Sequence, residues 1–520
     1  MGQHAADVLS VSCAALGPGH RHQVMLLSWV LVGILLAVFA RIALRFSRLE
    51  SSSDFLLMGR GIGFWLFFGA YTGASIGGAS LAGFTGTGFS EGIATIWILV
   101  VSSFTVPLFA WLFGPALNRF GRRYDAYTLA DFLVHRFGEG IRRPALFLTF
   151  IRPTFITGLQ FLAVGTLLRA GFGLGRTAGI LAGALIVLAI SMIGGQYSAI
   201  TSQWLQALLQ GLGMILFLVA ALTLHGGVSE GIRNLHELLP AAFLDPWSMD
   251  FSILSVWILS MGVFYFVDPW LFQWAYMARN EQTSRNALVV ASVAAPWGAV
   301  SFLGGMLLAA GVRGGLLDLG TGIDPDLVYL TFLQDHLATP VAAFLLVSFL
   351  MTVLSCASSF LMNGATILQT DLLTPVLGRE KAARHPILLG RLSVAVTGLL
   401  GIAAALWVPV LVPLWIIGQT LTMAGLLFPV MAAWFWPRAT AAGAMASLVS
   451  GGVGGFLWAM AAWSRMGSAN ALWHGLHAAH VGLGISLAVL VGVSLMTTHA
   501  PDERPEATLW SRLRLRKEAP

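Results

Sequence analysis

The chain has 520 residues, of which 57% are hydrophobic and only 10% charged, with a mean hydropathy of +0.81. That balance excludes a soluble domain and points to a polytopic membrane protein. The net charge of +6 then bears on topology more than on acidic partners, and two cysteines, Cys13 and Cys356, supply neither a disulfide framework nor metal-ligand spacing.

A membrane span needs about 20 apolar residues. Thirteen stretches qualify in chain order: 24–45, 61–83, 92–117, 143–169, 176–194, 200–224, 252–278, 286–312, 339–372, 387–408, 411–436, 439–463 and 478–497. Residues 1–23 are polar and mixed, without the order of a signal peptide, so 24–45 is expected to be the first span. Of the 29 Lys and Arg, 21 fall on one set of alternate loops and the C-terminal tail, and 6 on the opposite loops. The positive-inside rule expects the N-terminus outside, the C-terminus inside and a cytoplasmic (inner) membrane location.

Span 2 contains "GAYTGASIGGASLAGFTGTG" (69–88), rich in the poorest membrane-tolerated helix formers. Glycine costs about 1 kcal/mol against alanine in a helix. Gly69, Gly73 and Gly77, four apart, could form a packing face. They could equally mark a break where unwound backbone meets an ion or solute. Span 7 decides between these. Its "MGVFYFVDPWLFQW" (261–274) places Asp268 and Pro269 within an apolar run. Proline removes a backbone donor, and a mid-span carboxylate faces a cavity or a partner. Spans 2 and 7 lie five apart, hence inverted, and paired interruptions in inverted repeats point to a midplane site in secondary transporters.

Between spans 3 and 4, "YDAYTLADFLVHRFG" (124–138) has the spacing of a short surface helix. In the loop before span 13, His474, His477 and His480 are three apart, open to a metal face or a solvated loop helix. No histidine lies deep in a span, which leaves a haem without axial ligands. Paired carboxylates and nucleophile–base sets are also missing from the spans, so no enzyme is expected.

Five segments carry a family resemblance: "SDFLLMGRGIGFW" (53–65), "YTLADFLVHRFG", "GGQYSAITSQWLQ" (194–206), "QWAYMARNEQTSRNAL" (273–288) and "LSCASSFLMNGATILQTDLL" (354–373). In this order, over about residues 50–435, the chain resembles the sodium:solute symporter family. The resemblance implies an all-α fold of about 13 transmembrane helices. A leading helix and first cytoplasmic loop (24–50) follow the extracellular segment 1–23. Two inverted five-span repeats (51–224 and 252–436) flank an extracellular loop (225–251). Two trailing helices (437–497) precede a basic cytoplasmic tail (498–520).

It also implies a sodium site between the span 2 break and span 9. By motif match the backbone carbonyls are those of Gly73 and Ile76, with a carbonyl at Thr352 and side chains at Ser355 and Cys356. A second anchoring of the motif gives Thr352 and Val353 instead. Either way one hydroxyl becomes a thiol or a methyl, and a thiol is a poor ligand for a hard cation. Where the family carries a coupling-linked aspartate, this chain has Gln203. The expected solute positions are Ser75, Ser80, Ser102, Gln273 and Gln419. Leu99 stands where sugar-carrying relatives have a glutamate.

Arg152 lies roughly 16 Å into span 4, near mid-bilayer. With Asp268 it could form a structural ion pair, hold an anionic solute on its planar fork, or leave Asp268 to carry a coupling proton. The expected function is a secondary active symporter for a small polar or anionic solute, cation-coupled through a degraded sodium site. The alternatives are a sodium-independent carrier, proton-coupled or uncoupled, and a transporter-fold sensory component. No cofactor is expected beyond Na+ or H+ as coupling ion. The bilayer and a small solute are the expected partners, with no nucleic acid and no obligatory protein partner.

Overall fold

The computed structural model describes residue 11, residues 16–172, 174–293, 297–407 and 411–501, and residue 503; Cys13 and most of the basic tail lie outside these. Among the described residues the structure is helical, with isolated bridges in place of strands. Ten stretches among the described residues are long and apolar enough to cross a membrane.

The first long helix is α1 (Pro18–Arg45). Span 2 divides into α2 (Phe64–Ser75) and α3 (Phe84–Ser90). Then come α4 (Trp97–Leu112), α5 (Gly114–Tyr124), α6 (Leu129–Phe137) and α7 (Arg142–Phe172). The sequence-derived spans 5 and 6 are two helices, together α8 (Arg176–Leu224), that meet directly at Gly195, whose φ of 53° and ψ of −143° suit glycine alone. A side chain there would also strike Phe55, 2.7 Å away. Span 7 divides into α9 (Phe251–Met261) and α10 (Pro269–Met277). After these, besides shorter helices, come α11 (Glu281–Val293), α12 (Trp297–Arg313), α13 (Thr339–Ile367), α14 (Pro386–Trp407), α15 (Leu411–Phe435), α16 (Ala441–Met466) and α17 (Ala478–Met496).

Burial explains the layout. Helix α13 is buried along almost its whole length and forms the centre. Helices α1 and α16 expose rows of Leu, Val and Trp outward, as lipid-facing helices do. The helix predicted over 124–138 exists as α6, but it is no surface helix. Thr128 and Asp131 form a capping box, and Leu129, Phe132, Leu133 and Phe137 are buried. Arg136, fully buried, donates to the carbonyls of Pro437 (2.9 Å) and Ala439 (3.0 Å). Arg142 ties this corner to the end of span 9, with Nη1 2.8 Å from both Asp131 and Asp371 Oδ1.

The histidine row before α17 is also structural. His477 is buried and caps the helix by accepting from Ala479 N, and His480 accepts from His477 N in return. No group of three metal-ligating side chains occurs among the described residues.

Candidate functional site

The two interruptions sit side by side. Tyr71 of α2 stacks on Trp270 of α10, ring centroids 4.9 Å apart, and packs edge-on against Trp274 at 5.5 Å. Helix α2 ends because the chain turns extended at Ile76 (φ −104°, ψ 121°); it resumes through a wide turn over 79–83. The glycines serve both readings open on sequence. A Cβ on Gly73 would lie 2.8 Å from the Gln203 carbonyl oxygen of α8, so this segment is a close-packed face. A Cβ on Gly78 would lie 2.3 Å from Ala163 Cβ of α7, so no larger residue fits at the break. The backbone freed there finds side chains, as it must inside lipid. Gly78 N donates to Gln160 Oε1 (2.9 Å), and the Ile76 carbonyl accepts from Gln210 Nε2 (3.5 Å).

The second interruption runs from Gly262 through a tight turn over 263–267 to Asp268. Pro269 starts α10 at a position where its missing N–H costs nothing. Asp268 Oδ1 caps that helix by accepting from Trp270 N (2.9 Å). The same oxygen accepts from Arg152 Nη1 of α7 at 2.9 Å. Both side chains are buried, at 4% and 0% exposure. The guanidinium lies between the rings of Phe264 (4.8 Å) and Phe360 (4.7 Å), which offsets part of its desolvation. Asp268 Oδ2 and Arg152 Nε have no partner among the described residues.

Between the interruptions lies a cavity of about 70 Å³. Ser75, Ser80 and Ser102 line it, with Tyr71 and Tyr265 from the two broken spans. Ser292 of α11 adds a further hydroxyl, and Leu99 and Trp415 add apolar wall. Ser75 and Ser102 donate to their own helices, at Thr72 O (3.0 Å) and Leu99 O (2.9 Å), leaving oxygen lone pairs for a guest. Arg152, Asp268, Gln273 and Gln419 are not in this lining. Gln273 is engaged elsewhere: it donates to Leu56 O (3.2 Å) and Thr366 Oγ1 (2.8 Å) and accepts from Asn363 Nδ2 (2.8 Å). Gln419 is fully buried, and neither amide atom has a partner among the described residues. Tyr71, Tyr265 and Ser292 were missed on sequence. One signal was available: the chain has only 7 tyrosines, and two of them flank the interruptions.

The α13 positions matched to the expected cation site lie against the break. A Cβ on Gly77 would lie 3.0 Å from Cys356 Sγ, and one on Gly78 3.3 Å from Val353 Cγ2, so both candidate replacements on α13 face the break. Ser355 Oγ has no partner among the described residues, while Thr352 Oγ1 donates to Ser348 O (2.8 Å). Gln203 Nε2 donates to Ser355 O (3.3 Å) and Ser358 Oγ (3.4 Å). At this break a thiol (Cys356) or a methyl (Val353) thus stands where a hydroxyl was expected, and the amides of Gln210 and Gln203 bond the carbonyls of Ile76 and Ser355.

A helical membrane protein whose two interrupted helices pack together around a polar cavity belongs to the class of secondary transporters built on the five-plus-five inverted repeat. Its fold matches that of a Na+-coupled sialic acid symporter, with a TM-score of 0.77 at 16% identity, covering 92% of this chain and 99% of the other. Residues 55–451 match the model of the sodium:solute symporter family, and the chain belongs to that family. Among its curated relatives is the sodium/proline symporter of Staphylococcus aureus (strain JH9), 26% identical over 467 residues, which span 86% of this chain and 87% of the relative. The protein is a secondary active symporter by family and fold.

Proposed function

We propose that the protein carries a small polar solute across the cytoplasmic membrane by alternating access, N-terminus outside and C-terminus inside. The carrying observation is the cavity between the interruptions, lined by Ser75, Ser80 and Ser102. Asp268 already neutralises Arg152. The cavity therefore offers hydroxyls and aromatic rings rather than a free positive charge, which favours a neutral or zwitterionic solute over an anion. Proline, the solute of the curated relatives, is the first compound to test.

Transport is cation-coupled through a weakened sodium site formed by the carbonyls of Gly73, Ile76 and Thr352 with Ser355 and Cys356. A sodium-independent mode is the second reading, and the donation of Gln210 Nε2 to the Ile76 carbonyl favours it, because a neutral amide there occupies a cation's place. The test is uptake of amino acids, carboxylates and polyols into proteoliposomes, with sodium replaced in turn by choline and lithium. Strict sodium dependence supports sodium coupling and counts against a weakened site, and equal uptake in choline supports the second reading. Absence of flux under any ion gradient favours a sensory role for the fold over transport.

A further inference from the structure

Away from the cavity, the cytoplasmic ends of the two interrupted spans are joined through their backbones. Ile62 N donates to Met277 O (3.3 Å) and Arg279 N to Ile62 O (2.9 Å), a short parallel bridge between the start of span 2 and the end of span 7. Helix α5 clamps it. Asn118 Nδ2 donates to Ala275 O (2.9 Å) and Ala278 O (2.8 Å). Arg122 Nη2 donates to the carbonyls of Arg60 (2.7 Å), Ala278 (3.0 Å) and Arg279 (2.5 Å).

Beside this junction opens a cleft of about 720 Å³ whose walls include Arg119, Arg122, Arg123, Arg279 and Glu281. Only one of these charges is answered: Arg119 Nε donates to Glu281 Oε1 (2.8 Å). Arg122, Arg123 and Arg279 are exposed, and none has a carboxylate partner among the described residues. Three uncompensated guanidinium groups around one cleft repel one another and together favour an anion. Their planar forks match phosphate oxygens in geometry. Helices α4 and α11, which lead from the bilayer to this end, turn Phe104 (75% exposed), Leu108 (46%), Trp111 (64%) and Val290 (43%) outward. The apolar path runs along the helices that frame the charged cleft.

We propose that this cleft binds the phosphate group of an anionic membrane lipid, its acyl chains following the outward face of α4, and that the bound phosphate braces the bridge between Ile62 and Ala278. Arg123 of α5 and Arg279 just after α10 line the same cleft, so one phosphate bound by both would tie α5 to the end of α10. This proposal concerns a lipid, and stands whether or not the transported solute is as proposed above.

The test is thermal unfolding of the full-length protein in neutral detergent with added phosphatidylglycerol, phosphatidylcholine or inorganic phosphate. Phosphatidylglycerol is expected to raise the midpoint by a few degrees over phosphatidylcholine, as a ligand of the folded state does. The variant Arg123→Gln/Arg279→Gln is expected to lose at least half of that rise. A control pair, Arg41→Gln/Arg45→Gln, should keep it. Equal rises in the cleft variant and the wild type would overturn the site, and so would no rise at all. Inorganic phosphate matching the lipid would overturn the lipid assignment in favour of a soluble phosphate. Should the double variant fail to fold, native mass spectrometry of the wild type decides: retention of phosphatidylglycerol no greater than of phosphatidylcholine would also overturn it.

Discussion

The guanidinium of Arg152 reaches the carboxylate of Asp268 at 2.9 Å, and the oxygen it meets is the one that caps the helix after the second interruption. One atom thus serves two purposes. It neutralises a cation buried within α7, and it supplies the acceptor that the first turn of α10 requires. Removing one member of such a buried pair leaves the other uncompensated, which costs more than the pair itself contributes.

Asp268→Ala is therefore expected to destabilise the folded protein by about 3–5 kcal/mol. Adding Arg152→Leu should restore part of the loss, because no charge is then stranded. Asp268→Asn should fall between, keeping the cap and losing the ion pair. Unfolding in detergent of Asp268→Ala, Asp268→Asn, Arg152→Leu and the double variant measures this. Additive losses would show that the two side chains do not interact.

Glycine at the first interruption is predicted to be indispensable for a steric reason. Gly78→Ala drives a methyl to 2.3 Å from Ala163 Cβ, so the backbone must shift, at a cost of about 1–3 kcal/mol. Gly484→Ala in α17 meets nothing within 4 Å and should be neutral or stabilising, by up to about 1 kcal/mol. Melting points of the two variants, compared side by side, separate crowding at the interruption from the general cost of glycine in helices.

The coupling prediction concerns Gln203 and Cys356. Gln203→Asp combined with Cys356→Ser restores a carboxylate and a hard oxygen beside the break. The apparent sodium affinity of uptake is expected to rise at least tenfold, about 1.4 kcal/mol. Sodium titrations of solute uptake read it directly, and an unchanged sodium response would show that these two positions do not limit cation binding.

The cap of α17 should titrate. Burial, reinforced by His480, pushes His477 down to about 4 from its usual 6.5. The folded state thus holds it neutral while the unfolded chain protonates it. The cap contributes fully above pH 6.5, and that contribution is lost as pH falls toward 4, by up to about 3 kcal/mol. His477→Asn keeps a capping acceptor without a proton to gain, so its stability should fall less between pH 7 and pH 4.5. Parallel pH profiles of the melting point measure the difference.

Much of this architecture was legible in the sequence because membrane helices announce themselves by length and by what interrupts them. The glycine run around Gly73 and Gly77 and the Asp268–Pro269 step each violate the preference of an apolar helix, and both mark real breaks. The pairing of Arg152 with Asp268 could be proposed because two unmatched charges in apolar spans have few other places to go. The lining by Ser292 could not be read, since a serine facing a cavity carries no spacing different from one facing a neighbouring helix, and for Tyr71 and Tyr265 only the scarcity of tyrosine beside the two interruptions offered a signal. The bridge from Ile62 to Met277 and Arg279 was equally hidden. It is made of backbone atoms, and no side-chain pattern encodes it. The place of Gln273 was obscured for a related reason: its partners Asn363 and Thr366 lie about ninety positions away and meet it only when α10 packs on α13.

The claim that all of this supports is that solute passes through the cavity between the two interrupted helices. Solute counterflow in proteoliposomes tests it without assuming a coupling ion, using a solute that the wild type is first shown to carry. The wild type is compared with Ser102→Trp, whose indole would fill the cavity. The account predicts exchange by the wild type and exchange reduced to the level of protein-free liposomes for the variant, with the variant's melting point within a few degrees of the wild type. A folded Ser102→Trp protein that exchanges solute as fast as the wild type would contradict it.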